Sequence, residues 1–117
     1  MPPEPRPTPS SDVAERALAD LVTELDRCVD ELMQARARAE SLLRQRRSRR
    51  PWLEIVTTES RPLIVERIST VLASLAAAGH TWRREQAAAL QAEGISINRI
   101  AALFGVTRQR ISALLKD

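Results

Sequence analysis

The spacing of apolar residues predicts a long amphipathic helix in the first half of the chain. Val13 to about Gln45 contains neither glycine nor proline and is rich in strong helix formers, with Ser11 or Asp12 as the expected N-cap. Val22, Val29 and Leu43 widen its apolar stripe, which favours packing on more than one neighbour. The stripe itself alternates spacings of three and four, as in a heptad repeat: Leu18, Leu21, Leu25, Cys28, Leu32, Ala35, Ala39 and Leu42.

A second amphipathic helix is predicted from about Arg61 to Ala78, ended by Gly79. Its apolar face complements the wide stripe of the long helix, so the two can pair within one chain or in an intertwined dimer. Between them, Pro51 is expected to close the long helix, and Trp52 is expected in the core of a short apolar turn. The face of this second helix comprises Ile64, Ile68, Val71, Leu72 and Leu75.

Three short helices are predicted near the carboxyl end. Thr81 would cap a helix over Trp82 to Glu93, with Gly94 in a left-handed C-cap position, and Ser96 would cap Ile97 to Phe104. Gly105 suits a tight turn before a last helix that Thr107 would cap. One shared core is expected from Ile100, Ala101, Phe104, Val106, Ile111 and Leu114. The predicted fold is therefore all-α, with two scaffold helices followed by a tri-helical segment.

The stretch from Ile97 to Leu114, INRIAALFGVTRQRISAL, resembles the helix-turn-helix of bacterial, actinobacterial-type transcription regulators. The small residue Ala101, the turn residue Gly105 and the apolar positions all match. The resemblance covers Thr81 to Lys116, and it is closest to the DNA-binding segments of site-specific recombinases and the promoter-reading segments of sigma factors. It implies that the last helix enters the major groove of double-stranded DNA.

The resemblance and the polar face of the last helix together indicate which residues would contact DNA. Arg83 and Arg84 are expected at the start of a helix, where backbone N–H groups often meet phosphate. A helical hairpin that merely packs is the alternative interpretation, but it would not require this polar face. The base-reading candidates are Thr107, Arg108, Gln109, Ser112 and Ala113, and the phosphate-contacting candidates are Arg83, Arg84, Ser96, Asn98, Arg110 and Lys116.

Charge is distributed unevenly along the chain. The formal net charge is +3, with −4 over residues 1–43, +5 over residues 44–50 and +2 over residues 51–117. The run Arg44, Arg46, Arg47, Arg49 and Arg50 has no acidic partner expected nearby. It is either a solvated helix end, where the helix dipole favours cations, or a further set of phosphate contacts.

Composition argues against several classes of function. Cys28 is the only cysteine and His80 the only histidine, so an intrachain disulfide and a conventional zinc site are excluded, and Cys28 is expected in the core. No nucleophile, base and orienting group can be named together. We therefore expect no enzyme activity, cofactor, metal or small-molecule site. No membrane-spanning run or secretory signal is present, which favours a cytoplasmic, nucleoid-associated location.

These patterns predict a domain organisation and a function. Residues 1–11 would form a disordered proline-rich arm, residues 12–79 a helical scaffold for dimerisation, and residues 80–117 a DNA-binding domain. The predicted function is a homodimeric, sequence-specific transcription regulator. The alternatives are a nucleoid-associated protein and a protein-interaction module, such as an antitoxin or a sigma-factor partner, with secondary DNA binding. Dimerisation is assigned to Leu18, Leu21, Leu25, Cys28, Leu32 and Leu42, although the long helix could instead pack only within its own chain.

Overall fold

The computed structural model describes the backbone of residues 9–116 and the side chains of residues 13–116. This part of the chain contains only helices, turns and irregular segments, so the predicted all-α class is confirmed. Most of the predicted disordered arm lies outside the described residues. The helices, in chain order, are α1 (Pro9–Arg47), α2 (Trp52–Thr58), α3 (Ile64–Ala92), α4 (Ile97–Phe104) and α5 (Arg108–Lys116).

Helix α1 is the predicted long helix, but its ends differ from the prediction. It begins at Pro9, so an N-cap at Ser11 or Asp12 is wrong. Proline is compatible with a first turn because its missing N–H would have no helical partner there. At the other end Arg49 adopts a left-handed conformation, with φ of 68°. The N–H of Arg50 donates to the carbonyl of Gln45 at 3.2 Å, which closes the helix without a glycine.

Helix α3 replaces two predicted helices. It runs without a break through Gly79 and Thr81, so the predicted end at Gly79, the cap at Thr81 and the helix start at Trp82 are wrong. The Thr81 hydroxyl donates instead to the carbonyl of Ala77 at 3.1 Å, a bond typical of a residue inside a helix. Glycine within a helix costs only about 1 kcal/mol relative to alanine, and the strong helix formers around Gly79 offset that cost.

The start of α3 lies three residues after the predicted start at Arg61 and is capped by two carboxylates. Glu59 Oε1 accepts from the N–H of Ile64 at 3.0 Å, and Glu66 Oε2 accepts from the N–H of Leu63 at 3.2 Å. Negative charge at this end also complements the helix dipole. The capping residues are therefore two glutamates, one on each side of the first N–H groups, whose side chains are long enough to reach them.

The chain divides into two compact units. The central unit is Thr23–Ala76, and the terminal unit consists of the described residues of Met1–Val22 and Ala77–Asp117. In the central unit the buried residues are Cys28, Ala35, Ile55 and Val71, which confirms Cys28 as a core residue. Burial raises the pKa of the Cys28 thiol, and its Sγ lies 3.9 Å from the carbonyl oxygen of Val71.

Polar bonds connect α1 to α3 and to the segment just before α3 within the central unit. Arg38 donates to the carbonyls of Ser60 and Pro62 at 2.6 and 2.9 Å, and Arg67 donates to the Gln34 side chain at 2.8 Å. Farther along, Arg27 donates to the Ser74 hydroxyl at 2.9 Å. Along these bonds the residue number in α1 falls as the residue number on the α3 side rises, so the two helices are antiparallel.

Trp52 is not a core residue, so that prediction is wrong. Its side chain is 57% exposed, and the guanidinium of Arg46 lies 5.0 Å from the centroid of its ring. Ile55 is the buried residue of α2. A helix of two turns has room for only one inward stripe, and here Ile55 occupies it.

Candidate nucleic-acid interface

The end of α3 and helices α4 and α5 share one apolar core in the terminal unit. Its most buried members are Ala87, Ile100, Ala101 and Ile111, each no more than 5% exposed. Partly buried side chains pack around these four, namely Leu90, Ile95, Ile97, Phe104, Val106, Leu114 and Leu115. The shared core predicted from the sequence is confirmed. Ala87 and Leu90 of α3 were missed, although their spacing of three marks one face of a helix.

The turn between α4 and α5 has the predicted geometry. Gly105 is left-handed, with φ of 69° and ψ of 31°, and its N–H points to the carbonyls of Ala101 and Ala102. No neighbouring atom lies within 4 Å of a Cβ built at Gly105, so glycine is needed here for its backbone conformation rather than for space. The N–H of Val106 then donates to the Ala101 carbonyl at 3.0 Å, which fixes the direction of α5.

The predicted caps of α4 and α5 are confirmed. Ser96 Oγ accepts from the N–H of Arg99, and Thr107 Oγ1 accepts from the N–H of Arg110, both at 3.2 Å. Gly94, with φ of 87°, ends α3, and the N–H of Ile95 donates to the Leu90 carbonyl at 3.1 Å. The hydroxyls of Ser96 and Thr107 each accept one hydrogen bond as a helix cap. Each can still donate its own hydrogen to another acceptor.

The outer face of α5 is a polar surface with no role in the core. The spacing of its members places them on one side of the helix, while Ile111 faces inward. Ser112 is half-buried and the other members are exposed. The face carries two cations and no carboxylate. It forms a shallow concave surface lined by Arg108, Gln109, Ser112, Ala113 and Lys116.

Arg110 lies on another side of α5, at an apolar groove that also contains His80, Arg83 and Phe104. The guanidinium of Arg83 stacks on the Phe104 ring, 4.3 Å from its centroid. Four of the predicted base-reading residues are thus grouped on the outer face of α5 with Lys116, whereas the predicted phosphate ligands Arg83 and Arg110 border this groove.

The expectation that Arg83 and Arg84 begin a helix is wrong. Both lie inside α3, where backbone N–H groups are already used by the helix. Arg84 is half-buried and forms an ion pair with Glu85 at 3.1 Å, which reduces its capacity to bind a phosphate. Asn98 is exposed in the first turn of α4, as a phosphate-contacting residue would need to be.

The arginine run belongs to the central unit and is more engaged than expected. Arg50 forms an ion pair with Glu54 at 3.0 Å and donates to the Thr58 hydroxyl at 3.2 Å. The absence of acidic partners was therefore a wrong expectation for Arg50, since α2 starts directly after the run and presents Glu54 to it. Arg46 covers Trp52. Arg44, Arg47 and Arg49 are exposed.

Comparison of the chain with protein-family models, with curated proteins and with solved structures finds no match. Among residues 9–116, no group of three or more His, Cys, Asp or Glu side chains is arranged to hold a metal ion. Within the same residues, none of the helices combines the length and the apolar composition needed to cross a membrane.

Proposed function

We propose that this protein binds double-stranded DNA and regulates transcription, with α4 and α5 acting as a helix-turn-helix and α5 lying in the major groove. The observation that carries the proposal is the outer face of α5. Its side chains are polar or small, none of them is among the buried core residues, and the helix behind them is anchored by Ile111.

The residue types on this face match the chemistry of base edges. Arginine can bond bidentately to O6 and N7 of guanine, glutamine can do the same to N6 and N7 of adenine, and an alanine methyl can contact the thymine methyl. Arg108, Gln109 and Ala113 would have these roles. Thr107 and Ser112 would make shorter hydroxyl contacts at the margin of the face.

Phosphate contacts beside the major groove of the DNA would come from exposed polar groups of α5 and of the start of α4. Arg110 and Lys116 extend from α5 itself, and Ser96 and Asn98 begin α4. Contacts of this kind orient a protein on the duplex without reading its sequence. Arg83 would contact a phosphate more readily if its guanidinium left the Phe104 ring. Arg84 is the weakest candidate for a phosphate contact because it already forms an ion pair with Glu85.

The decisive experiment is selection of bound fragments from random DNA, followed by affinity measurements on the selected and scrambled sequences. Arg108→Ala and Gln109→Ala should each weaken binding to the selected sequence by about 1–3 kcal/mol and relax preference at one base pair. Arg61→Ala is the matched control, because it removes an exposed cation from a segment before α3. Retention of both affinity and preference in the α5 variants would refute the proposal.

Two other functions are distinguished by separate measurements. A nucleoid-associated protein would occupy many genomic sites, and a transcription regulator would occupy few, so mapping of occupied sites separates them. A protein-interaction module, such as an antitoxin or a sigma-factor partner, is favoured by the exposed apolar side chains of α1. Co-purification of a stoichiometric partner with little DNA affinity would support that function.

A further inference from the structure

Helix α1 carries a continuous ribbon of exposed large apolar side chains. The ribbon consists of Leu18, Val22, Leu25, Val29 and Leu32, each between 37% and 57% exposed. Scattered apolar residues are normal on a protein surface, but a contiguous stripe of them marks an interaction site. The α1 ribbon therefore has the character of an interaction surface.

The α1 ribbon is distinct from the face of α1 that packs inside the chain. Cys28 and Ala35 are 2% and 3% exposed and form the face toward α3. At about 100° per residue, Leu25, Val29 and Leu32 lie roughly 40–100° to one side of Cys28. Cys28, assigned to the dimer contact from the sequence, is buried within the chain, and the stripe beside it is exposed.

Within the central unit, polar bonds occupy the other side of the α1–α3 pair. Arg27 reaches Ser74, and Gln34 reaches Arg67, both on the flank of α1 opposite Leu25 and Leu32. On α3, Leu72 is 54% exposed and lies on the flank away from Ser74. One side of this helix pair is therefore bridged by hydrogen-bonded polar side chains, and the other side exposes apolar side chains of both helices.

The ribbon has the sequence of a helix–helix seam. Its members alternate spacings of four and three, with leucine at 18, 25 and 32 and valine at 22 and 29. This alternation keeps one stripe facing a second helix along its whole length. The same register places Glu15 and Arg36 at the two ends of the ribbon.

The distribution of charge along α1 favours a second copy in the opposite direction as the partner helix. Residues 13–31 hold six acids against two arginines, and residues 32–47 hold five arginines against one acid. A parallel copy would align acid with acid and arginine with arginine. An antiparallel copy centred near Leu25 would place Glu15 beside Arg36 of the partner subunit, since the two residues are almost equidistant from the centre.

We propose that this protein is a homodimer in which the α1 ribbons of two copies pack against each other in antiparallel orientation. The chain alone fully buries few large side chains, with Ile100, Ile111, Val71 and Cys28 the largest among the described residues, so a second copy supplies apolar burial that the monomer lacks. This interface involves residues other than those proposed to contact DNA, and it does not depend on that function.

The first test measures oligomeric state. Sedimentation equilibrium of the full chain at tens of micromolar should give twice the monomer mass of 13.1 kDa. Leu25→Lys and Val29→Lys should each weaken the dimer at least a hundredfold, because a charge would be buried in the seam. Leu53→Lys is the control, since this residue is also apolar and, at 77%, even more exposed, but lies on α2. A monomeric wild type, or unchanged association of both ribbon variants, would overturn the proposal.

The second test measures the relative orientation of the two α1 helices in the dimer. It leaves the apolar ribbon intact, so it remains informative if the lysine variants do not fold. In the antiparallel dimer, Glu15→Arg or Arg36→Glu should weaken association about tenfold at low salt, because the pair occurs twice in a symmetric dimer. The double variant should return to near the wild-type affinity. In a parallel dimer Glu15 and Arg36 of different subunits would not be neighbours, so neither single change would replace an attraction by a repulsion. Unchanged association of the single variants would therefore contradict the antiparallel arrangement.

Discussion

Helices α4 and α5 and the long helix α1 bury their apolar residues in different ways. In α4 and α5 the inward side chains converge on one core with Ile100 and Ile111 fully buried. Along α1 the buried positions are small, namely Ala14, Ala17, Cys28 and Ala35, while the large ones are mostly exposed. The first region is complete within one chain, and the second keeps much of its apolar surface available. Local pattern predicts the former well because its partners are near in sequence.

The largest expected effect tests the completeness of the α4–α5 core. Ile100→Ala should lower the free energy of unfolding by about 2–5 kcal/mol, because it removes a fully buried side chain and leaves a cavity. Leu103→Ala on the same helix is the control and should have little effect, since Leu103 is 60% exposed. Urea denaturation measures both. Equal losses in the two variants would show that the core is not centred on Ile100.

Two glycine substitutions should change stability in opposite directions. Gly105→Ala should lower the free energy of unfolding by about 1–2 kcal/mol, because φ of 69° is unfavourable for a residue with a Cβ. Gly79→Ala should raise it by about 1 kcal/mol, because Gly79 lies inside α3 and its Cβ would meet no atom within 4 Å. Thermal unfolding of both variants gives the signs. Destabilisation by Gly79→Ala would argue for a break in α3 at that residue.

Loss of a helix cap should have a smaller effect, confined to the terminal unit. Thr107→Ala should lower the free energy of unfolding by about 1 kcal/mol, because the N–H of Arg110 would lose its acceptor. Thr107→Ser retains the hydroxyl and is the control. Amide exchange of α5 should accelerate in the alanine variant alone. Similar exchange in both variants would mean that the cap does not stabilise α5.

The smallest effect concerns the polar side of the α1–α3 pair and is a change in how stability depends on pH below about pH 4.5. Hydrogen bonds from Arg27 and Ser74 lower the pKa of Glu24 to about 2. Because the pKa is lower in the folded than in the unfolded chain, this stabilisation is complete above about pH 4.5 and decreases as the pH falls toward 2. Glu24→Gln should therefore reduce the loss of stability over that interval.

Urea denaturation at a series of pH values measures the Glu24 effect. Glu93→Gln is a suitable control, because it removes an exposed carboxylate at the end of α3. An unchanged slope in the Glu24 variant would indicate that its bonds to Arg27 and Ser74 do not persist in solution.

The sequence by itself determined the features that depend on neighbouring residues. The ends of α4, the left-handed Gly94 and Gly105 and the caps at Ser96 and Thr107 follow from interactions within a few residues, so their chemistry can be recognised from the sequence. The all-α class and the shared α4–α5 core follow from apolar spacing in the same way.

Only the tertiary structure decided which of two adjacent stripes on α1 is buried, and whether Trp52 or Ile55 lies in the core. The sequence pattern does not distinguish Leu25 from Cys28 as the position that faces a neighbouring helix. Cys28 is the buried one because it lies against Val71, which is more than forty residues away in the chain. Trp52 was misinterpreted for the same reason, since Ile55 is the apolar residue of α2 that is buried. Burial of a large apolar side chain is worth about 1.5–3 kcal/mol, but the sequence pattern does not tell which of two neighbouring apolar residues meets a partner.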